Sequence, residues 1–387
     1  MTMGISTHPA LTFMPSNKRI LFVAPNLGGG GAERALVNII NHLDRTRFEP
    51  HLALFQKEGV FLTSLANDVP LYELQPTDYG VLHRNWTRIR AINTLYQKIR
   101  PALIMSVLWQ VNSVILMADK LYSFKCPVLI NEQNAPVSSR GTDSRRKPTR
   151  QFTRWLYQQA DHIVVISKGI ATELAHEGIA SSKITVINNP LDLTTLSENI
   201  TEERSSLQKR LTLVAVGRLA KQKNYPLLLE TVAKLHQRYP LHLWILGEGP
   251  EKARLTHLVE VLGLQEVVSF LGFQDNPWSY IKQADIFVLS SDYEGFGNVV
   301  IEALAVGTPV IATDCPYGPN EILVGGQYGI LVPPGDASAM ATAIQSLFDD
   351  HAKRKKFQKM GSIRAKDFSV DKIVPQYENL FLELINN

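Results

Sequence analysis

Ser-Ser-Asp-Tyr-Glu-Gly-Phe-Gly-Asn-Val-Val-Ile-Glu-Ala-Leu-Ala-Val-Gly-Thr-Pro-Val, residues 290–310, decides how the rest of the chain is read. It follows an apolar run, 286–289, that predicts a strand, and it places Asp292, Glu294, Gly295, Phe296 and Gly297 in a loop before a helix predicted from about Asn298. Glycines at such a junction let a ligand come close to the main chain, and the free N–H groups of the new helix favour an anion. Glu294 then sits in the loop and Glu302 about one turn into the helix, so both can face one crevice. Two carboxylates would repel an anion itself. They suit the hydroxyls attached to one, as in a phosphorylated sugar or a ribose.

Working outward, strands are predicted at 211–217, 242–247, 267–270 and 310–312 around this stretch, and at 19–24, 51–55, 103–108, 128–131, 162–167 and 183–189 in the first half. Helical segments alternate with them, which implies parallel sheets whose ligands sit at the carboxyl ends of the strands. The polar segment 194–208 reads as a domain boundary, giving a first domain over 1–192, a second over 193–368 and an amphipathic final helix within 369–387 that returns to the first domain. The run 19–24 leads into Gly28, Gly29, Gly30 and Gly31 and then a helix with apolar Leu36, Ile39, Ile40 and Leu43. This is a phosphate-accommodating start of a doubly wound α/β domain, although such glycine turns also serve tight packing alone. The lysine and serine or threonine of a P-loop are absent, so that motif is excluded.

A chain of 387 residues has room for two cores, and 45% hydrophobic with 20% charged residues excludes a disordered protein. Two cysteines, Cys126 and Cys315, make no disulfide framework and fit a reducing compartment. No signal peptide is expected from the first 17 residues. The longest apolar run, 101–118, is interrupted by Gln110, Asn112 and Ser113, which predicts a buried strand followed by a helix in place of a membrane span.

Arg218 and Lys223 lie just past a strand end, spaced so that a guanidinium and an ammonium can converge on one diphosphate. On spacing alone, two solvated surface charges are the ordinary reading. Gly247-Glu248-Gly249-Pro250 and Gly272-Phe273 close further strands on the same rim, where they form either plain turns or a seat for a nucleobase against the main chain.

Together these pieces resemble the retaining glycosyltransferases of family 4, which have the GT-B fold: two doubly wound, Rossmann-like α/β domains with a cleft between them. The resemblance rests on Gly28-Gly29-Gly30-Gly31-Ala32-Glu33, Ala160-Asp161 with the strand through Ser167, Asn189-Pro190-Leu191-Asp192, Gly217-Arg218-Leu219 with Lys223, Leu246-Gly247-Glu248-Gly249-Pro250, and Glu294-Gly295-Phe296-Gly297 with Glu302 and Gly307-Thr308-Pro309-Val310. It spans nearly the whole chain, in the family's order. It implies transfer of a sugar from a nucleotide-diphosphate sugar, with UDP-sugar favoured, to a glycan acceptor. Arg218 and Lys223 would hold the diphosphate, Glu294 and the main chain of Gly295 to Gly297 the donor sugar, and Glu302 the ribose hydroxyls. Gly29 and Gly30 would lie across the cleft from the phosphates, with Gly247, Glu248, Gly272 and Asn298 completing the donor site. Family members often carry a histidine where this chain has Asn131-Glu132-Gln133-Asn134. On that acceptor side, Glu132 either orients the acceptor hydroxyl or caps its loop, and Asn134 is its neighbour in the same role.

Asp292-Tyr293-Glu294 has the look of an Asp-Xaa-Asp metal site, but Glu294 already belongs to the better-matched motif and the two cations supply what Mg²⁺ would supply to the leaving group. No metal or other cofactor is therefore expected. Residues 83–154 hold 13 Lys or Arg against 3 Asp or Glu, with Trp86, Ile89, Ile92, Leu95 and Tyr96 at helical spacing beside Arg84 and Arg88, and with Arg145, Arg146 and Lys147 further on. Segment 84–154 is thus expected to dock on an anionic membrane, a solvated face being the alternative. No nucleic-acid recognition motif accompanies the charge. Many enzymes of the resembled family extend lipid-linked glycans, which implies a lipid-linked acceptor, polysaccharide or lipopolysaccharide synthesis, and a cytoplasmic enzyme peripheral at the inner face of the cytoplasmic membrane. The rival readings are a sugar-nucleotide epimerase or hydrolase of the same architecture, and a polyanion- or membrane-binding scaffold.

Overall fold

Short, mostly apolar segments of three to seven residues form the strands of two parallel sheets, the central ones buried on both faces. The computed structural model describes residues 17–74, 81–134, 147–200 and 210–387. The first sheet consists of β1 (Lys18–Ala24), β2 (Phe48–Leu54), β3 (Leu71–Glu73), β4 (Leu103–Val107), β5 (Val128–Glu132), β6 (His162–Val165) and β7 (Ile184–Val186), in the order β3-β2-β1-β4-β5-β6-β7. The second consists of β8 (Leu211–Val216), β9 (Leu241–Leu246), β10 (Val268–Gly272), β11 (Ile286–Leu289), β12 (Val310–Thr313) and β13 (Ile330–Val332), in the order β10-β9-β8-β11-β12-β13. Every pairing is parallel. Both are doubly wound, and their strand order reverses between β1 and β4 in one and between β8 and β11 in the other.

Two strands were not expected. β3 and β13 are three residues each and lie at the sheet edges, where one flank needs no partner and a short, half-buried segment carries little apolar signal. The run 101–118 resolves as anticipated into β4 and the helix Trp109–Tyr122. No helix among the described residues is long and apolar enough to cross a membrane.

The last helix, Val370–Asn386, leaves the second domain and packs on the first. Its Phe381 meets Phe22 and Phe48 edge-on, with ring centroids 6.2 and 6.0 Å apart. Glu378 accepts from the Asp44 main-chain N–H at 2.7 Å and from Arg47 at 3.2 Å. The Tyr377 hydroxyl accepts from Asn131 Nδ2 at 2.9 Å, directly beneath the end of β5. This strap ties the carboxyl end of the first sheet to a helix whose chain comes from the other domain.

Candidate active site

In a doubly wound sheet the loops leaving the strands on either side of the reversal point diverge and open a crevice. Here the two crevices face each other and form one cleft of about 740 Å³. The first domain contributes Gly28 to Gly31 after β1, together with Gln133 and Asn134 after β5. The second contributes Gly217 and Arg218 after β8, Gly247 and Glu248 after β9, and Glu294 to Asn298 after β11.

Close approach of the main chain is what demands glycine at two of these positions. A Cβ at Gly295 would lie 2.1 Å from the Gln133 carbonyl oxygen of the opposite domain, and one at Gly247, where φ is +129°, would lie 2.1 Å from the Gly217 carbonyl oxygen. The helix Asn298–Ala305 starts immediately after this contact. Its first side chain bridges the cleft, with Asn298 Nδ2 donating to the Gly31 carbonyl at 2.9 Å and Asn298 Oδ1 accepting from Asn189 at 3.1 Å. Asn189 in turn exchanges hydrogen bonds with Gln133, which donates to Asn131 at 2.8 Å. A satisfied amide network thus runs from Tyr377 through both domains to the glycine loop.

Two ion pairs join charged groups that both line the cleft. Lys223 Nζ lies 2.7 Å from Glu294 Oε1, with the side chains 16% and 7% exposed, and the Ser291 hydroxyl donates to the same oxygen at 2.5 Å. Ser291 is fixed by Thr313, whose hydroxyl donates to its carbonyl at 2.6 Å. Arg34 Nη1 lies 3.1 Å from Glu302 Oε1, across the cleft from the first domain to the second. Arg218 lines the cleft exposed and without an ion pair among the described residues, so its charge is available to an anion. Glu33, on the first turn of the helix Gly31–His42, also lines the cleft, and burial raises its carboxyl pKa above the usual range. Cys315 is buried behind Glu294, and desolvation followed by the neighbouring carboxylate pushes its thiol up to about 12, so it is not a nucleophile at neutral pH.

Arg218, Lys223, Glu294, Gly29, Gly30, Gly247, Glu248, Gly295, Phe296, Gly297, Asn298, Glu302 and Asn134 are therefore brought to one cleft. The Phe296 ring itself turns inward and packs edge-on against Phe368, with centroids 5.6 Å apart. Two expected residues do not line the cleft. Gly272 ends β10 and accepts from Gly247 N–H at 2.7 Å, leaving Phe273 and Gln274 on the rim. Glu132 is 1% exposed, its carboxylate taken by the Tyr157 hydroxyl and by Asn134 N–H at 3.0 Å. Of its two readings the structure has the loop cap, and Gln133 faces the cleft instead. Sequence reasoning also missed Arg34, and it quoted Asn189 within a motif without giving it a role in the cleft. Arg34 follows the glycine loop by three positions, and its partner Glu302 is 268 residues away.

Among the described residues no three His, Cys, Asp or Glu side chains converge as ion ligands, and Asp292 instead accepts from Asn224 at 2.7 Å. In the basic segment, the side chains of Arg84 and Lys147 and all of Arg140, Arg145 and Arg146 lie outside the described residues. What is described there includes four exposed aromatic side chains. Trp86, Trp109, Phe152 and Trp155 are 38–49% exposed on three neighbouring helices, Val81–Ile99, Trp109–Tyr122 and Lys147–Tyr157. Phe152 stacks on Trp155 at 5.8 Å, and the Arg90 guanidinium lies 5.2 Å from the Trp86 ring centroid.

Two facing doubly wound domains, with cations and carboxylates converging from their reversal points, define a GT-B sugar-transferase scaffold. The family models agree: Glycosyltransferase Family 4 matches residues 29–195 and Glycosyl transferases group 1 matches residues 197–364. The chain belongs to glycosyltransferase family 4. It is 29% identical over 360 residues to the N-acetylgalactosamine-N,N'-diacetylbacillosaminyl-diphospho-undecaprenol 4-alpha-N-acetylgalactosaminyltransferase of Campylobacter jejuni, covering 90% of this chain and 95% of the relative. It is 28% identical over 365 residues to the lipopolysaccharide core biosynthesis glycosyltransferase LpsD of Rhizobium meliloti, covering 91% and 95%. The crystal structure of Anabaena Alr3699/HepE in complex with UDP-glucose superposes with a TM-score of 0.83 at 21% identity, over 95% of this chain and 100% of that one.

Proposed function

We propose that this protein transfers a sugar, with retention of anomeric configuration, from a UDP-sugar to a glycan built on a lipid carrier at the inner face of the cytoplasmic membrane, in cell-surface polysaccharide or lipopolysaccharide synthesis. The observation that carries the reading is Arg218, with no ion pair among the described residues, on the same cleft as the Lys223–Glu294 pair and the first domain's glycine loop. A cleft with a free guanidinium, a second cation and two carboxylates matches a ligand that is anionic at one end and hydroxyl-rich at the other. The names of the Campylobacter and Rhizobium relatives, one acting on a diphospho-undecaprenol acceptor and the other in lipopolysaccharide core synthesis, support the acceptor class. The UDP-glucose complex of the structural relative supports the donor class.

In the proposed reaction the bond from the anomeric carbon to the diphosphate oxygen breaks, and its electron pair stays on the phosphate. The acceptor oxygen forms the new bond on the same face, and its proton passes to the departing phosphate oxygen. Arg218 and Lys223 stabilise the charge that grows on the diphosphate, so metal is not required for departure. Glu294 fixes the hydroxyls of the donor sugar, and Glu302 those of the ribose. The exposed aromatic and basic helices hold the enzyme on the anionic surface that carries the acceptor.

Melting-temperature screening against UDP-, GDP- and ADP-sugars tests the donor, since a ligand bound only by the folded state raises the transition. Stabilisation by UDP-sugars above the others is the expected result. With that donor and a lipid-linked acceptor, single-turnover transfer in chelator should proceed at the rate seen with Mg²⁺, and proton NMR of the product should show the donor's anomeric configuration. Loss of transfer in chelator with recovery on Mg²⁺, or an inverted product, would overturn those parts.

A further inference from the structure

We infer that Arg34 is a positioning residue for the donor's ribose: from the opposite domain it holds Glu302 in the orientation that meets the ribose hydroxyls. The inference rests on the ribose role proposed for Glu302.

Arg34 sits on the helix that follows the glycine loop, and its own N–H bonds to the Gly30 carbonyl at 3.1 Å, so its Cα is fixed to the loop itself. Its guanidinium reaches out of the first domain and is held between two rings, 5.0 Å from the Phe61 centroid on its own side and 4.8 Å from the Trp278 centroid on the other. A planar cation between aromatic faces has few alternative rotamers, and desolvation strengthens its attraction to a carboxylate. Glu302 presents Oε1 to Arg34 Nη1 at 3.1 Å, with the side chains 19% and 8% exposed. Among the described residues Oε2 has no hydrogen-bond partner, and Glu302 lines the cleft. One oxygen is therefore anchored and the other is left for a ligand hydroxyl.

Left alone on the first helical turns after Asn298, a glutamate samples several rotamers, and only some direct a carboxylate into the cleft. The cross-domain pair selects one of them. Arg34 is committed to Glu302 and to the two rings that hold it. Its effect should appear in recognition of the ribose hydroxyls.

The test compares binding of UDP with that of 2′,3′-dideoxy-UDP by calorimetry, in wild type and in the Arg34→Ala, Arg34→Lys, Glu302→Ala and Arg34→Ala/Glu302→Ala variants, all checked for an intact melting transition. Hydrogen bonds to a charged group are strong enough that wild type should prefer UDP by about tenfold or more. Glu302→Ala should abolish that preference and Arg34→Ala should cut most of it, while dideoxy-UDP binds each variant as it binds wild type. The double variant should lose no more than Glu302→Ala, and Arg34→Lys, which keeps the charge but not the fork, should retain part of the preference. If Glu302→Ala abolishes the preference and Arg34→Ala leaves it whole, or if Arg34→Ala weakens both ligands equally, Arg34 does not position Glu302. If Glu302→Ala itself leaves the preference intact, or wild type shows none, the ribose reading fails first.

Discussion

At the scale of single residues, the two cations past β8 have different surroundings and should fail differently. Arg218 is exposed and has no ion pair among the described residues, so Arg218→Ala should leave the melting temperature near wild type. If the guanidinium acts on charge that develops as the donor bond breaks, the turnover number should fall by about 10²–10³ while the donor Michaelis constant changes little. Steady-state kinetics with a purified donor would show it, and an unchanged turnover number with a raised Michaelis constant would contradict the role. Lys223 pairs with a carboxylate that is 7% exposed, so Lys223→Met should destabilise the fold as well, by about 3 kcal/mol, through the charge left unpaired. Denaturant titration separates the two variants. Glu33 supplies a pH-dependent signature. Burial raises its pKa, so the native state binds its proton more tightly than the unfolded chain and stability is lost as pH rises from the ordinary carboxyl range through the raised folded value. Glu33→Gln should therefore melt higher than wild type at pH 7, with the gap closing towards pH 4.

At the scale of elements, the central strands such as β4, β11 and β12 could be read directly, because a strand covered on both faces is almost wholly apolar. The same double coverage hides orientation. Along β5 every residue is buried, so alternation does not say whether Glu132 or Gln133 turns to the cleft, and only the packing of Tyr157 decides it. Arg34 and Glu302 were unreadable as a pair for another reason: their contact depends on how two domains meet, which no local pattern encodes. The glycine at 295 was legible as a close approach, though to a ligand, whereas the structure puts the Gln133 carbonyl there. Gly295→Ala should then act as a wedge between a loop and the opposite domain. Overpacking of this kind costs about 1–3 kcal/mol. Donor affinity should fall along with stability, because the displaced element carries Glu294; calorimetric binding beside a urea titration would check both, and wild-type affinity in a destabilised variant would show that the loop relaxes without opening the cleft.

At the scale of the whole molecule, the sequence carries an asymmetry that the fold turns into a direction. Residues 83–154 hold 13 Lys or Arg against 3 Asp or Glu, and the helices of this segment expose Trp86, Trp109, Phe152 and Trp155. Single exposed aromatics are ordinary on a soluble protein, but four on adjacent helices within a basic region match the mixture that settles at a lipid headgroup layer. These helices belong to the same domain as the glycine loop of the cleft, the domain proposed to meet the acceptor. Flotation with vesicles of neutral lipid, and of neutral lipid with anionic lipid added, separates the contributions. Recovery with the vesicles should require anionic lipid and decline as salt is raised, because charges near the surface act within a screening length. Phe152→Ala with Trp155→Ala should lower recovery at every salt concentration, by about a hundredfold in affinity if burying each ring contributes on the order of 1.4 kcal/mol, while transfer to a soluble acceptor analogue stays at the wild-type rate. Equal recovery in the soluble fraction for both vesicle types would assign the basic helices to solvent, and would leave the acceptor to reach the cleft by diffusion alone.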